Sequence, residues 1–408
     1  MSELQVELYG EPLGTLRGDS RSYDFAADAR ALERHGLDSL VLSLAVPLSA
    51  VPVRSAKARR QNFFAELLPE GRLLARLADR ARVRPTDAFG MLRRYGRDVA
   101  GALQIWDPEE PGEPKEPRLA AIDAAGIARL LERENDQPLG NRPTGGKTSL
   151  AGVQDKIVLA WQDAAWHQVL DGYPSTHILK PQVVGNPTGL FDEEYGARIA
   201  RHIGLCEYET RIDTFAGVHA LVIERYDRDA SMPQGRVHQE DMNQALGASR
   251  DQKYQRIGGR VSLARMASAI GSVSPDAPTT LLRMVTAAVA LGNLDMHAKN
   301  ISLLHPPDGS VRMAPAYDMV PMAHQDTDGE MALAVAEEYR HRQLTREHLV
   351  SEATAWGLRD VRTVIDRTLE AILAAVREEA PHPSAHPGLR ANVARSATNL
   401  LRSGAVGD

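Results

Sequence analysis

The chain has a single cysteine, Cys206, in 408 residues. That excludes an intrachain disulfide and a thiolate metal cluster, and it fits a reducing cytoplasm. No apolar run comes near the roughly 18 to 20 residues that a membrane-spanning helix needs. The opening Met1-Ser2-Glu3-Leu4-Gln5-Val6-Glu7 carries acids and alternates, whereas a signal peptide needs a basic start and a continuous apolar core. A mature, soluble, cytoplasmic protein with no membrane association is expected. Neither sign of charge dominates: the net charge of -6 argues against a chain that coats nucleic acid unaided, while leaving room for local basic patches. Internal repeats and low-complexity tracts are absent. The P-loop spacing is missing too, since Gly146-Lys147-Thr148 would need a glycine at a position that holds Asn141.

What is present is an ordinary globular composition, 43% hydrophobic and 25% charged, in a chain long enough for two or three cores. Leu4, Val6 and Leu8 alternate up to a break at Gly10-Glu11-Pro12, the pattern of an antiparallel hairpin, and Leu40 to Leu44 is a further strand candidate. The basic segment Arg54 to Arg60 is read as a solvated face at a helix start and is given no function. Helical spacing follows through Phe63, Phe64, Leu67 and Leu68, then Leu73, Leu74 and Leu77, with another short helix from Asp87 to Tyr95. The Pro- and acid-rich stretch Asp107 to Pro117 reads as a linker. Beyond it, a helix over 123–132 and a Gly/Pro loop over 140–148 lead into three strands, over 157–161, 166–170 and 177–180. A helix over 192–203 and a strand over 220–225 complete this part. From about Met242 the pattern is mainly helical. The expected domains are an N-terminal subdomain over 1–106, a linker over 107–120, a strand-rich lobe over 121–230 and a helical lobe over 231–408.

The segment Asp295-Met296-His297-Ala298-Lys299-Asn300 lies between a long apolar helical run and an apolar strand, so its polar residues fall in a short, rigidly held loop. Asp295 and Asn300 are five apart, the spacing of the protein-kinase loop in which the Asp takes the acceptor proton and the Asn holds magnesium. Asp318 follows after one hairpin-like segment and would meet the same metal. Lys180 ends a strand where a kinase cation would pair with phosphates and with a helix carboxylate, and Glu193 and Glu194 are the available acids. Glu224-Arg225-Tyr226-Asp227 closes the last strand of this lobe, where either an adenine-binding hinge or the solvated end of an edge strand would fall. A metallohydrolase grouping of Asp227, His238, Asp295, His297 and Asp318 is the weaker alternative, because no two histidines have the spacing of a zinc helix motif.

Several segments, in order and in register, resemble the HipA-type serine/threonine kinase toxins of bacterial toxin-antitoxin modules. They are Ser149-Leu150-Ala151-Gly152-Val153-Gln154-Asp155-Lys156, Thr176 to Pro181, Glu224 to Arg228, His238-Gln239-Glu240-Asp241, Asp295 to Asn300, and Tyr317-Asp318. The first hundred residues, with Asn62 to Pro69 and Gly96 to Leu103, look like the family's N-terminal domain. The resemblance implies an α+β fold with a two-lobed protein-kinase-like core, an N-terminal mixed α/β subdomain and a mainly helical C-terminal lobe. It implies ATP and Mg2+ as cofactors. Asp295 would be the catalytic Asp, with His297 and Lys299 near the transferred phosphate. Asn300 and Asp318 would be the metal ligands and Lys180 the phosphate cation. Ala151 and Gly152 would lie in a loop over the phosphates, and Glu224 and Tyr226 beside adenine. Ser149 matches the position at which such kinases phosphorylate themselves, and Thr148 beside it is a second candidate. The family's partners are a helix-turn-helix antitoxin (HipB-like), which carries most contact with operator DNA, and an aminoacyl-tRNA synthetase substrate, glutamyl-tRNA synthetase in particular. No Gly-x-Gly-x-x-Gly loop precedes Lys180, and Met319 follows Asp318 where ordinary protein kinases have Phe-Gly; the HipA-like group shares both departures. Rival readings are an inactive kinase-fold partner in transcriptional repression and a kinase of lipids or small molecules.

Overall fold

The structure, a computed structural model, describes residues 2–132 and 137–408. The N-terminal hairpin forms as the alternation predicts: Ser2–Leu8 pairs with Glu11–Gly18, burying Leu4, Val6 and Leu8 on one face. The turn is Tyr9-Gly10, both at positive φ, which matches the right-handed twist of a two-residue hairpin. Tyr23–Ala27 and Leu103–Trp106 add on either side to give a four-stranded antiparallel sheet. Helices Lys57–Ala65, Gly71–Ala81 and Ala88–Tyr95 cover it, the last capped by the Asp87 carboxylate, which accepts the Gly90 N–H at 2.8 Å.

Two expectations here are corrected. Leu40 to Leu44 is no strand. Val41, Leu42 and Ser43 are buried in an irregular run, where Glu240 accepts hydrogen bonds from the Ser43 hydroxyl and the Leu44 N–H at 2.5 and 2.8 Å. A carboxylate from the helical lobe thus satisfies the Leu44 N–H, which a sheet ladder would otherwise serve, together with the buried Ser43 hydroxyl. The basic segment is not wholly solvated either: Arg60 is buried and forks onto Asp24 at 2.6 and 2.9 Å.

The second sheet has six antiparallel strands in the order Arg118–Ala121, Ala165–Leu170, Ile157–Gln162, His177–Pro181, Val218–Glu224 and Thr210–Phe215. Helix Ala124–Glu132 packs Ile127, Ala128, Leu130 and Leu131 on one face, against Leu159, Leu179 and Val222. Helix Gly189–His202 joins the large core of the helical lobe through Tyr195 and Ile199. Thr210–Phe215 gives no apolar alternation, because it is a half-exposed edge strand.

The helical lobe is organised around Ala277–Leu291, buried along nearly its whole length between Leu263–Gly271, Val361–Glu378 and Leu389–Leu401. Gly292 ends it in the left-handed region at φ 75°, where an added Cβ would stand 2.7 Å from the Ala323 Cβ. Residues 292–301 then run to strand Ser302–His305, the middle strand between His238–Asp241 and Arg312–Met313. The loop is therefore anchored at one end by a buried helix and at the other by a central strand. Among the described residues no helix is long and apolar enough to cross a membrane.

Candidate active site

A cleft of about 440 Å³ lies between the six-stranded sheet and the helical lobe. Its lining brings together residues that the sequence holds far apart: Gly152, Lys180, Tyr226, Asp295, Asn300 and Asp318. Leu150, Ile178, Leu221 and Ile223 give it an apolar part, and Lys180, Glu193, Asp295 and Asp318 a charged one.

Lys180 is the centre of the charged part. Its Nζ stands 2.6 Å from Glu193 Oε1 and 2.6 Å from Asp318 Oδ1. Of the two acids on the following helix, Glu193 is the one that turns inward, while Glu194 pairs with Arg198 one turn on. One ammonium cannot neutralise two carboxylates. Burial pushes Glu193 up to about 7 against the pull of Lys180. Asp318 is also desolvated, but Lys180, with Lys156 and His297 behind it, holds it at about 2. Asp318 thus stays ionised and is the group ready for a cation. It sits at φ 56°, uncommon for a residue with a side chain, and Asn293 Nδ2 holds its carbonyl at 3.1 Å. Gly196 on the Glu193 helix lies directly behind; an added Cβ there would be 1.8 Å from the Met319 carbonyl oxygen.

Asp295 projects from the 292–301 loop and is accessible to solvent. The cleft walls nevertheless desolvate it and, together with the nearby Asp318 charge, push its carboxyl up to about 6, against the opposing pull of Lys253 and the Tyr254 hydroxyl. Tyr254 OH donates to Asp295 Oδ1 at 3.3 Å, and its ring lies edge-on to His297, 5.4 Å between centroids. Asn300 Nδ2 donates to the Asp295 carbonyl at 3.0 Å, which leaves the Asn300 Oδ1 as the atom for a cation. His297 is buried, and desolvation followed by Lys253 lowers it to about 4, so it is a neutral imidazole near pH 7.

Lys299 lines the same cleft with its ammonium already paired. Its ammonium is held by Glu66 Oε2 at 2.6 Å and Glu70 Oε1 at 2.8 Å. Both carboxylates belong to the N-terminal domain, so this ammonium ties the 292–301 loop to that domain. Glu224 is exposed and Tyr226 half-buried at the end of strand Val218–Glu224, and both line the cleft. The Tyr226 hydroxyl donates to the Gln239 side chain.

Of the Ser149 to Lys156 loop, Ala151 to Gln154 line the cleft and are at least partly exposed, while Ser149, Leu150 and Lys156 are buried. Ser149 is fully buried and its hydroxyl donates to the Leu67 carbonyl at 3.0 Å. Thr148 is buried as well, its hydroxyl 3.3 Å from Asp98 Oδ2. Gly152 has φ 114°, and a Cβ there would stand 2.6 Å from Lys156 Nζ. Lys156 reaches back to the Ala151 carbonyl at 2.5 Å. Among the described residues no carboxylate pairs with it, and burial, with Lys180 next, lowers its ammonium to about 8.

Sequence reasoning missed the groups that hold this arrangement together. Asp98, fully buried, accepts from Ser175 Oγ at 2.7 Å, from Arg228 at 2.9 Å and from Arg236 at 3.1 Å. Arg225 and Arg228 also close on Asp227 at 2.8 and 2.9 Å. Asp227 is thereby committed to ion pairs. His238 is buried with Nε2 2.8 Å from the Leu42 carbonyl, on the seam with the N-terminal domain. Both have structural partners, so the metallohydrolase grouping loses two of its members. Arginines in Glu224-Arg225-Tyr226-Asp227-Arg228 were a signal of buried pairing, but only the fold identifies Asp98 as their partner.

Residues 4–106 match the HipA N-terminal domain family and residues 148–380 the HipA-like C-terminal domain family. A Sinorhizobium fredii protein named as a kinase, Y4mE, is 32% identical over 357 residues, covering 84% of each chain. The serine/threonine-protein kinase toxin HipA of Shewanella oneidensis is 27% identical over 365 residues, 85% of this chain and 82% of that one. The structure of Shewanella oneidensis HipA, solved in complex with HipB and operator DNA, superimposes with a TM-score of 0.77 at 24% identity, over 98% of this chain and 96% of that one. The expected α+β kinase-like fold is the observed one. With both domain families matched in order along its length, the chain belongs to the HipA family.

Proposed function

We propose that this chain is an ATP- and magnesium-dependent serine/threonine protein kinase, the toxin of a toxin-antitoxin module. The observation that carries the reading is Lys180, shared at 2.6 Å between the helix carboxylate Glu193 and the ionised Asp318, in the same cleft as Asp295 and Asn300. The residues fit the implied cofactors. The cleft volume is within the roughly 300 to 1,000 Å³ of small-ligand sites, with an apolar part for a base and a charged part for phosphates. Among the described residues no carboxylate pairs with the buried amine of Lys156, which occupies the space a side chain at Gly152 would fill, in the lining of the cleft. Asp318 and the Asn300 Oδ1 are hard oxygen donors of the kind magnesium takes.

Bound ATP would supply the phosphoryl group, and the metal would neutralise its charge. The chain's own residues do the rest. Glu193 orients the Lys180 ammonium onto the phosphates. Asp295 holds the acceptor hydroxyl and accepts its proton. Neutral His297 supports the loop without adding charge. Autophosphorylation would fall on Ser149 or Thr148, and either hydroxyl must first leave its buried place, so modification would trap the segment outside. Support for a HipB-like helix-turn-helix antitoxin comes from the Shewanella relative, solved with HipB and operator DNA. The net charge of -6 is consistent with DNA contact made mainly through that partner. A translation component such as an aminoacyl-tRNA synthetase is the proposed substrate, on the family resemblance.

Calorimetric titration with ATP, with and without magnesium, tests the cofactor reading. Binding should tighten at least about tenfold with the metal, because Asp318 otherwise repels the phosphates. Affinity indifferent to magnesium, or no binding, contradicts it. A pH profile tests the role of Asp295. With its carboxyl pushed up to about 6, the base form is lost as pH falls through that value. In the free enzyme kcat/KM should therefore drop about tenfold per unit below pH 6 and level off above it. A profile still flat at pH 5 would show that no group with this carboxyl's behaviour acts as base.

A further inference from the structure

Glu66 and Glu70 stand on either side of Leu67-Leu68-Pro69, at the break between helices Lys57–Ala65 and Gly71–Ala81 of the N-terminal domain. Both reach into the helical lobe. Glu66 Oε2 lies 2.6 Å from Lys299 Nζ, and its Oε1 accepts the Arg250 N–H at 2.6 Å. Glu70 Oε1 lies 2.8 Å from the same ammonium, and its Oε2 lies 2.9 Å from Lys253 Nζ. The backbone N–H of Glu70 donates to the Gly152 carbonyl at 3.1 Å. One short connector therefore touches the phosphate loop, the turn over 250–254 and the catalytic loop.

The positions of the two lysines give the contacts their meaning. Lys299 immediately precedes Asn300. Lys253 immediately precedes Tyr254, whose hydroxyl holds Asp295. Each ammonium is buried, so each needs its carboxylate: a buried charge stripped of its partner is costly and rearranges. Burial alone would raise the Glu70 carboxyl, but Lys299 and Lys253 bring it down to about 2, which keeps it charged at every working pH.

We propose that Glu70, assisted by Glu66, is a positioning residue for phosphoryl transfer, and that the N-terminal domain is a working wall of the active centre. Its kinetic consequence rests on the kinase reading; the coupling of the three segments does not. The test compares the full chain with Glu70→Gln and Glu70→Asp, by steady-state kinetics and by hydrogen-deuterium exchange. Glu70→Gln should lower kcat about tenfold or more, while KM for ATP stays within about threefold because Lys180 and the apolar pocket are untouched. Amides over 249–255 and 297–301 should exchange faster, with helix Val361–Glu378 unchanged. Glu70→Asp keeps the charge and should recover a large part of the rate. An unchanged kcat in Glu70→Gln, no recovery in Glu70→Asp, or faster exchange throughout both lobes would overturn the proposal. A wild type that binds ATP but transfers nothing would remove the kinase reading alone, and the exchange pattern would then decide the coupling by itself.

Discussion

Asp295→Asn should abolish phosphoryl transfer, with kcat lower by about a thousandfold or more, while ATP binding stays within a fewfold of wild type. The asymmetry follows from the site. Asp295 touches Tyr254 and its own loop, not Lys180, so the pairing of Lys180 with Glu193 and Asp318 survives the substitution. The amide is nearly the same size and can still accept from Tyr254, so the loop is kept; what is lost is a group able to take a proton. Nucleotide titration and a transfer assay on the same preparation measure both halves. Transfer at the wild-type rate would remove Asp295 from the mechanism. Loss of both activities together would show that it holds the nucleotide instead.

Gly196→Ala is the second large effect, and nothing in the chemistry of the site would single it out. Helix Gly189–His202 carries Glu193 at the charged end of the cleft, and at Gly196 the helix packs directly on the backbone of Met319. A methyl group would overlap the Met319 carbonyl oxygen at 1.8 Å. The obstacle is main chain, so no rotamer change relieves it. Either the helix moves and takes Glu193 from Lys180, or the strained Asp318-Met319 segment moves. Overpacking of this kind costs roughly 1 to 3 kcal/mol. A misplacement near 1 Å costs about a hundredfold in rate. We expect a lower Tm and a kcat reduced by about two orders of magnitude. Wild-type values for both would mean that neither the Glu193–Lys180 contact nor Asp318 depends on this close packing.

The legible part of this site and the illegible part differ in physical kind. Lys180 lies near the end of a strand and Asn300 just before one, while Asp295 and Asp318 stand in loops beside the buried apolar residues Leu294, Met296 and Met319, so local pattern and spacing mark all four. Their partners in long-range contacts have no such signal. Glu66 precedes Lys299 by 233 positions and accepts its hydrogen bond with an unremarkable helix-end carboxylate. Asp98 and the three arginines around it, or Glu240 under Ser43, likewise stand among other polar residues in the sequence, so nothing local marks them as buried. The same reason explains Leu40 to Leu44, whose apolar run was legible as buried but not as irregular, because its backbone partners lie in another domain. Lys299 was legible as part of this loop, while its carboxylate partners Glu66 and Glu70 were not.

The measurement that bears most directly on the central claim is the intact mass of the full chain after incubation with ATP and magnesium, followed by phosphopeptide mapping, with Asp295→Asn alongside. The starting material must be shown to be unphosphorylated and to bind nucleotide. The account predicts one added phosphate in the wild type, on Ser149 or Thr148, and none in Asp295→Asn. Equal phosphate in both proteins, or none in a wild type that binds ATP and also fails to label any protein acceptor, would contradict it.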